Sequence, residues 1–166
     1  ERGKEMFGVP EATLRLASKG KGKLVRYFEN WCAIVDSLET CKNLAENMEL
    51  LPFKRAAEIT EAATGFHFTE GAMFEIGERI VNIERVYVVR EGIRRKDDYL
   101  PKRFLQEPLQ NGKSKGAVFE MEPMLNEYYK EREWDLKTGI PKAKKLREIG
   151  LEYVVEDLVQ NGIEIE

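Results

Sequence analysis

The sequence predicts an all-α fold, an irregular multi-helix bundle, on three observations. Apolar residues recur at alternating threes and fours in several separate segments. Those segments are bounded by proline, threonine or glycine at positions that suit helix ends. Strand-like alternation is confined to a short piece near Val118, and no internal repeat interrupts the pattern.

The opening ERGKEMFGVPE shows no helix-start pattern before Pro10, and its first residue is Glu1. That opening suggests a piece of a longer protein. From Lys23 to about Thr40, Leu24, Phe28, Trp31, Val35 and Leu38 form an amphipathic stripe that Tyr27 and Ile34 widen. The connection from Lys42 to Leu51 is the least regular stretch. Pro52 opens a second helix carrying Phe53, Ala56, Ala57, Ile59 and Ala63, with Gly65 as its stop. Thr69 caps a third, with Glu70 in its first turn, and Met73, Ile76, Ile80, Ile83 and Tyr87 mark one face. Phe74, Val81 and Val88 line an adjacent face, so this helix, ending near Gly92, is expected at the centre of the bundle. Residues 93–115 hold Pro101, Pro108 and Gly112 among many charges and read as an ordered loop with short turns. Pro123 sits in the first turn of a helix with Met124, Leu125, Tyr128 and Tyr129. Pro141 opens another, with Ala143, Leu146 and Ile149, that Gly150 ends. Leu151, Val154, Val155 and Leu158 define a final helix before Asn161 and Gly162.

Composition limits the function classes. The 166 residues are 42% hydrophobic and 34% charged, which suits one compact domain. The 27 basic and 30 acidic residues are interspersed and give a net charge of −3, so no nucleic acid or anionic membrane partner is implied. No apolar run approaches the roughly 20 residues of a bilayer span, and no signal-peptide pattern opens the chain. The expected location is cytoplasmic. Cys32 and Cys41 lie in one predicted helix about 13 Å apart along its axis, too far for a disulfide.

Pattern reading finds little chemistry: no phosphate loop, no paired histidines, no Ser/His/Asp set. His67, the one histidine, lies between two phenylalanines at a turn and reads as a packing or surface residue. Cys32 reads as a small core residue. Cys41 differs, because it ends a helix beside Lys42, where a thiolate could form. One thiolate cannot hold an iron-sulfur cluster, so spacing alone favours an ordinary role. Asp36, five residues short of Cys41 with Ser37, Leu38, Glu39 and Thr40 between, either bonds a ligand or faces water. The segment RVYVVREGIRRKDDYLPKRF gathers Arg85, Arg90, Glu91, Arg94, Arg95, Asp97, Asp98 and Arg103. It reads as a salt-bridged loop organiser or, alternatively, as a channel lining.

Taken together, GKGKLVRYFENWCAIVDSLETCK, ERIVNIERVYVVREGIRRKDDYLPKRF, EPMLNEYYKEREWD and GIPKAKKLREIGLE, in that order, resemble the C-terminal region of the aldehyde ferredoxin oxidoreductase family. The resemblance runs through nearly the whole chain. It implies a helical C-terminal domain over residues 1–166, a fragment of a longer chain. Family members carry a tungsten bis-pterin cofactor and a neighbouring [4Fe-4S] cluster. A family segment of the form DxxGLC brings an aspartate to the pterin and a cysteine to the cluster. In this chain it reads DSLETC. The resemblance therefore makes Asp36 the pterin-contacting carboxylate, Cys41 the last cluster ligand, and Thr40 and Lys42 flanking cofactor contacts. Glu39 and Thr40 replace the glycine and leucine that the pattern often has, which alters the expected contact.

The resemblance implies aldehyde oxidation to a carboxylic acid, with electrons leaving through the cluster to ferredoxin. The remaining cluster cysteines and the acid and histidine near tungsten are expected before Glu1, so no catalytic residue is assigned here and the isolated fragment is expected to be inactive. The N-terminal domains of the same protein, ferredoxin and an aldehyde are the expected partners, and a homo-oligomer is compatible with this reading. A benzoyl-CoA reductase-type catalytic subunit is the alternative within the superfamily. A non-catalytic helical interaction module is the alternative outside it, and it predicts that Cys41 is buried and unremarkable and that no helix end near it opens onto a concave surface.

Overall fold

The computed structural model describes residues 2–45 and 51–166. Its helices are α1 (Arg2–Phe7), α2 (Lys21–Ser37), α3 (Lys42–Ala45), α4 (Phe53–Thr64), α5 (Glu70–Arg90), α6 (Lys102–Gln106), α7 (Met121–Arg132), α8 (Ala143–Glu148) and α9 (Glu152–Gln160). Short 3-10 turns occupy Pro10–Thr13 and Arg95–Asp97. Among the described residues there is no strand, and the one isolated bridge joins Trp134 and Pro141. The all-α expectation holds. No helix among the described residues is long and apolar enough to cross a membrane.

Local signals account for most boundaries. The Thr69 hydroxyl accepts from the Ala72 amide at 3.1 Å and starts α5, with Glu70 complementing the positive end of the helix dipole. α4 follows Pro52 and stops at Gly65, which takes the left-handed conformation. Residues 93–115 are largely irregular as expected, but Pro101 nucleates α6 within them. The piece near Val118 forms no ladder; Phe119 donates its amide to the Phe104 carbonyl at 3.0 Å. The expected irregular connection after Lys42 begins instead with the single turn of α3, and residues 46–50 lie outside the described residues.

Three expectations are corrected. A helix precedes Pro10: α1 forms because Phe7 buries its ring edge-on against Tyr27, at 5.8 Å between centroids, and tertiary packing overrides a weak local signal. The buried face of α2 is turned toward Asn30, Trp31, Ile34 and Val35, leaving Phe28 37% exposed. The stripe read on α5 is likewise not its buried face, since Ile83 and Tyr87 are 40% and 66% exposed. The side of α5 that meets its neighbours carries Gly77, Glu78, Val81, Asn82, Arg85 and Val89. The polar residues in this interior face partners of complementary charge or hydrogen-bonding capacity, as described below, although Glu78 Oε1 makes no hydrogen bond and has only the ion pair to Arg132.

α5 is nevertheless central. It packs on α2 and α4 at one end and on α9 at the other. Two apolar clusters result. Trp31, Ile34 and Val35 of α2 join Leu51, Phe53, Ala56, Ala57 and Met73. Val86 and Val89 of α5 join Leu146, Leu151, Val154 and Leu158 of the C-terminal helices and their connection. α7 leans on α2, and its Leu125 and Tyr129 pack with Trp134.

Candidate functional site

The DSLETC segment is the end of α2 and the step out of it. The Glu39 amide donates to Asp36 O at 3.0 Å and the Thr40 amide to Val35 O at 3.1 Å, with Glu39 at φ 53°. Those two bonds and the left-handed residue between them constitute a Schellman stop. The reversal ends α2 three residues before the Thr40 expected from sequence and turns Cys41 out into solvent, where its thiol is exposed. Thr40 remains half-buried, its hydroxyl 3.4 Å from the Leu38 carbonyl.

Asp36 and Lys42 meet across this turn. Lys42 Nζ lies 2.8 Å from Asp36 Oδ2, and both side chains are exposed. The bond to Asp36 holds the Lys42 ammonium above its ordinary pKa, against an opposing effect of desolvation, and the charges of Asp36, Cys32 and Glu84 also raise it. All four residues singled out in the sequence are thus within one turn, on the surface, with Asp36 and Lys42 paired on either side of Cys41 in the chain. A departure noted in sequence takes on a physical meaning here. The pattern's glycine falls where the backbone is left-handed, and Glu39 adopts that conformation in its place, a state costing an L-residue about 1–2 kcal/mol.

The donor set suits part of a metal centre. A single exposed thiol can supply one bond to a cluster, and a carboxylate beside it can accept from ring N–H groups. Among the described residues no group of three or more His, Cys, Asp or Glu side chains could hold a metal ion, so further ligands would have to come from elsewhere. His67 is exposed, with Nδ1 3.0 Å from Glu61 Oε2, and is not brought to this turn. Cys32 is half-buried against the Trp31 cluster.

The charged segment after Arg85 behaves as a loop organiser. Arg85 holds Asp98 through two bonds of 2.8 and 2.7 Å and donates to the Gly139 carbonyl at 2.8 Å. Arg94 donates to Val89 O at 2.6 Å, and Arg95 reaches Glu122 and Asn126 at 3.0 and 2.8 Å. Arg90 pairs with Asp157 of α9 at 3.2 Å.

The sequence reading missed the polar seam beneath α2. Arg132 of α7 is 0% exposed and donates to Asn30 Oδ1 at 2.7 Å and Glu29 Oε2 at 2.6 Å. Glu78 of α5 is 2% exposed and accepts from Arg26 Nε and Asn30 Nδ2, both at 2.9 Å. Burial acts to raise the Glu78 carboxyl, but Arg132 and Arg26 overcome it and hold the group below its ordinary range. Glu78, Asn82, Arg85 and Val89 do repeat at four, three and four, but every face of a helix shows that spacing, and the more apolar stripe beside them outweighs it.

The described residues thus form an all-helical domain with one exposed thiol and one exposed carboxylate at a helix end. The family model described as "Aldehyde ferredoxin oxidoreductase, domains 2 & 3" matches residues 1–151. The tungsten-containing aldehyde ferredoxin oxidoreductase of Pyrococcus furiosus is 36% identical over 135 residues, and that of Pyrococcus horikoshii 37% over 136. Each alignment covers 81% of this chain and 22% of the relative, so the chain spans about a fifth of their length. A solved structure titled as the active site complex BamBC of benzoyl coenzyme A reductase with 1,5 dienoyl-CoA is similar in fold. Its TM-score is 0.70 at 22% identity, covering 90% of this chain and 22% of that one. The chain belongs to the aldehyde ferredoxin oxidoreductase family, a family of oxidoreductases.

Proposed function

We propose that this chain is the C-terminal, cofactor-supporting domain of a tungsten-dependent aldehyde:ferredoxin oxidoreductase. Cys41 supplies one thiolate to a [4Fe-4S] cluster, while Asp36, Thr40 and Lys42 contact a tungsten bis-pterin. When bound, that cofactor supplies the two-electron oxidation of an aldehyde to a carboxylic acid, water providing the added oxygen, and the cluster passes the electrons to ferredoxin. The domain's own contribution is placement: α2 carries the carboxylate and the Schellman stop turns the thiol outward.

The observation that supports this reading most is the exposure of Cys41 immediately beyond the helix stop, with Asp36 and Lys42 paired across the same turn. A non-catalytic interaction module predicts a buried, unremarkable Cys41, and exposure of Cys41 counts against that prediction. Relatives named as aldehyde oxidoreductases, at 36–37% identity, favour aldehyde oxidation over benzoyl-CoA reduction, since the likeness to the latter structure extends to fold alone.

The test is metal analysis of the full-length protein purified without oxygen, native against Cys41→Ala. Loss of the cluster's visible absorption and of bound iron in the variant is expected. Iron, tungsten and absorption equal to the native values would remove Cys41 as a ligand and leave the domain a structural role.

A further inference from the structure

The position of Cys41 depends on how α2 is seated, because the thiol follows that helix within one turn. Apolar contacts from Trp31, Ile34 and Val35 press α2 into the bundle, but hydrophobic attraction has no direction and leaves rotation and axial position loosely set. Both are fixed about two to three turns before the end of α2. Arg132 from α7 grips Asn30 and Glu29 and reaches the Arg26 carbonyl at 3.3 Å. Glu78 from α5 grips Arg26 and Asn30, and its Oε1 lies 3.2 Å from Arg132 Nη1. One acid and one base from two different helices thus hold three side chains of α2 that lie within about one turn of each other.

Two close backbone approaches reinforce the register. A Cβ on Gly77 would lie 2.5 Å from the Asn30 carbonyl oxygen, and one on Gly22 would lie 2.5 Å from the Tyr128 nitrogen. Sliding α2 by one residue, about 1.5 Å and 100° of rotation, breaks every one of these contacts together. A buried ion pair is a poor source of net stability compared with apolar packing of the same volume, and specification of register is its best-attested use. The C-terminal cluster is built of apolar side chains, and the ion pairs beside it, Arg90–Asp157 and Lys145–Glu133, each keep a carboxylate at the surface.

We propose that Arg132 and Glu78 are positioning residues for the Asp36–Cys41 turn, setting the rotation and axial register of α2 so that the thiol meets a cluster held by the rest of the protein. The inference rests on the assignment of Cys41 as a cluster ligand. Ligands of a preorganised site must lie within about 0.5 Å of their working positions, so a small rotation of α2 matters at its end.

The test uses the full-length holoprotein with Arg132→Lys, Glu78→Gln, Leu146→Ala and Cys41→Ala. The readouts are the rate of iron loss to a chelator, the electron paramagnetic resonance spectrum and midpoint potential of the cluster, and the melting temperature. Arg132→Lys and Glu78→Gln are expected to release iron faster than the native protein and to shift the cluster's spectrum and potential. Leu146→Ala, in the C-terminal cluster, is expected to lower the melting temperature as much while leaving both cluster readouts native. Native iron retention and spectra in Arg132→Lys and Glu78→Gln would overturn the proposal and make the seam purely structural. If Arg132→Lys does not fold, Glu29→Gln, which weakens the same grip at a partly exposed carboxylate, joins Glu78→Gln under the same criteria. A full cluster in Cys41→Ala would overturn the ligand assignment itself, a separate and recognisable result.

Discussion

The two halves of α5 are packed by different chemistry. Around Glu78 and Asn82 the helix meets α2 and α7 through charges and amides: Trp134 donates its indole N–H to Asn82 Oδ1 at 2.9 Å, and Glu78 lies among Arg26, Asn30 and Arg132. Around Val86 and Val89 it meets the C-terminal helices through Leu146, Leu151, Val154 and Leu158, all apolar and all buried. The C-terminal half needs only that enough apolar surface be hidden. The N-terminal half needs particular atoms opposite one another, and it is the half that seats the helix leading to Cys41.

Breaking each half should separate these two kinds of packing. Arg132→Met leaves Glu78 buried without its main counter-charge, and a loss of about 3–5 kcal/mol is expected in urea unfolding of the chain. Adding Glu78→Gln should recover part of that loss, because the second substitution removes the stranded charge. A double variant as unstable as the sum of the two singles would show that the residues act independently. In the apolar half, Leu146→Ala should cost about 3 kcal/mol through lost burial and a residual cavity, with no compensating second site. A loss well under 1 kcal/mol would mean that the cluster collapses around the gap.

Acid sharpens the same contrast with a smaller effect. Glu78 has a depressed pKa in the folded protein, so its stabilisation is present above the ordinary glutamate range and is lost as pH falls through the folded value. Glu78→Gln does not titrate there. Native and Glu78→Gln unfolding free energies should differ at pH 7 and converge below about pH 4, on approach to the depressed folded value. A gap that stays constant over that range would mean that the Glu78 carboxyl binds its proton equally well in the folded and unfolded chain, against the depression that Arg132 and Arg26 impose. Leu146→Ala should keep a nearly constant gap to native across the same range.

The same division governs what could be read from sequence. Helix periods, Thr69 as a cap, Gly65 as a stop and the apolar C-terminal helices were legible because each depends on a residue and its near neighbours along the chain. The inward face of α5 was not, since Ile80, Ile83 and Tyr87 form the more apolar stripe while Glu78, Asn82 and Arg85 turn inward. Their partners lie 44 to 54 residues away in sequence in the bonds to Asn30, Tyr129, Trp134 and Gly139, and no local pattern announces them. At the candidate site, family resemblance singled out Asp36, Thr40, Cys41 and Lys42, and the fold gathers them at the end of α2, with Thr40 half-buried and the other three exposed. The pairing of Asp36 with Lys42 and the left-handed Glu39 were invisible before the backbone was known.

Glu39 offers the smallest effect and the most local one. Its backbone is left-handed at φ 53° because a Schellman stop requires that conformation at the residue between the Asp36 and Thr40 bonds. Glycine takes it without steric cost but gives up more freedom on folding, so Glu39→Gly should stabilise the chain by about 0.5–1 kcal/mol net. An unchanged or lower stability would mean that the Glu39 side chain contributes something that offsets its strained backbone. Comparing Glu39→Gly with Glu39→Asn distinguishes the causes, because asparagine also tolerates the left-handed region while keeping a side chain. If both variants gain stability, backbone conformation alone explains the effect, and the carboxylate beside Cys41 is retained at a measurable structural cost.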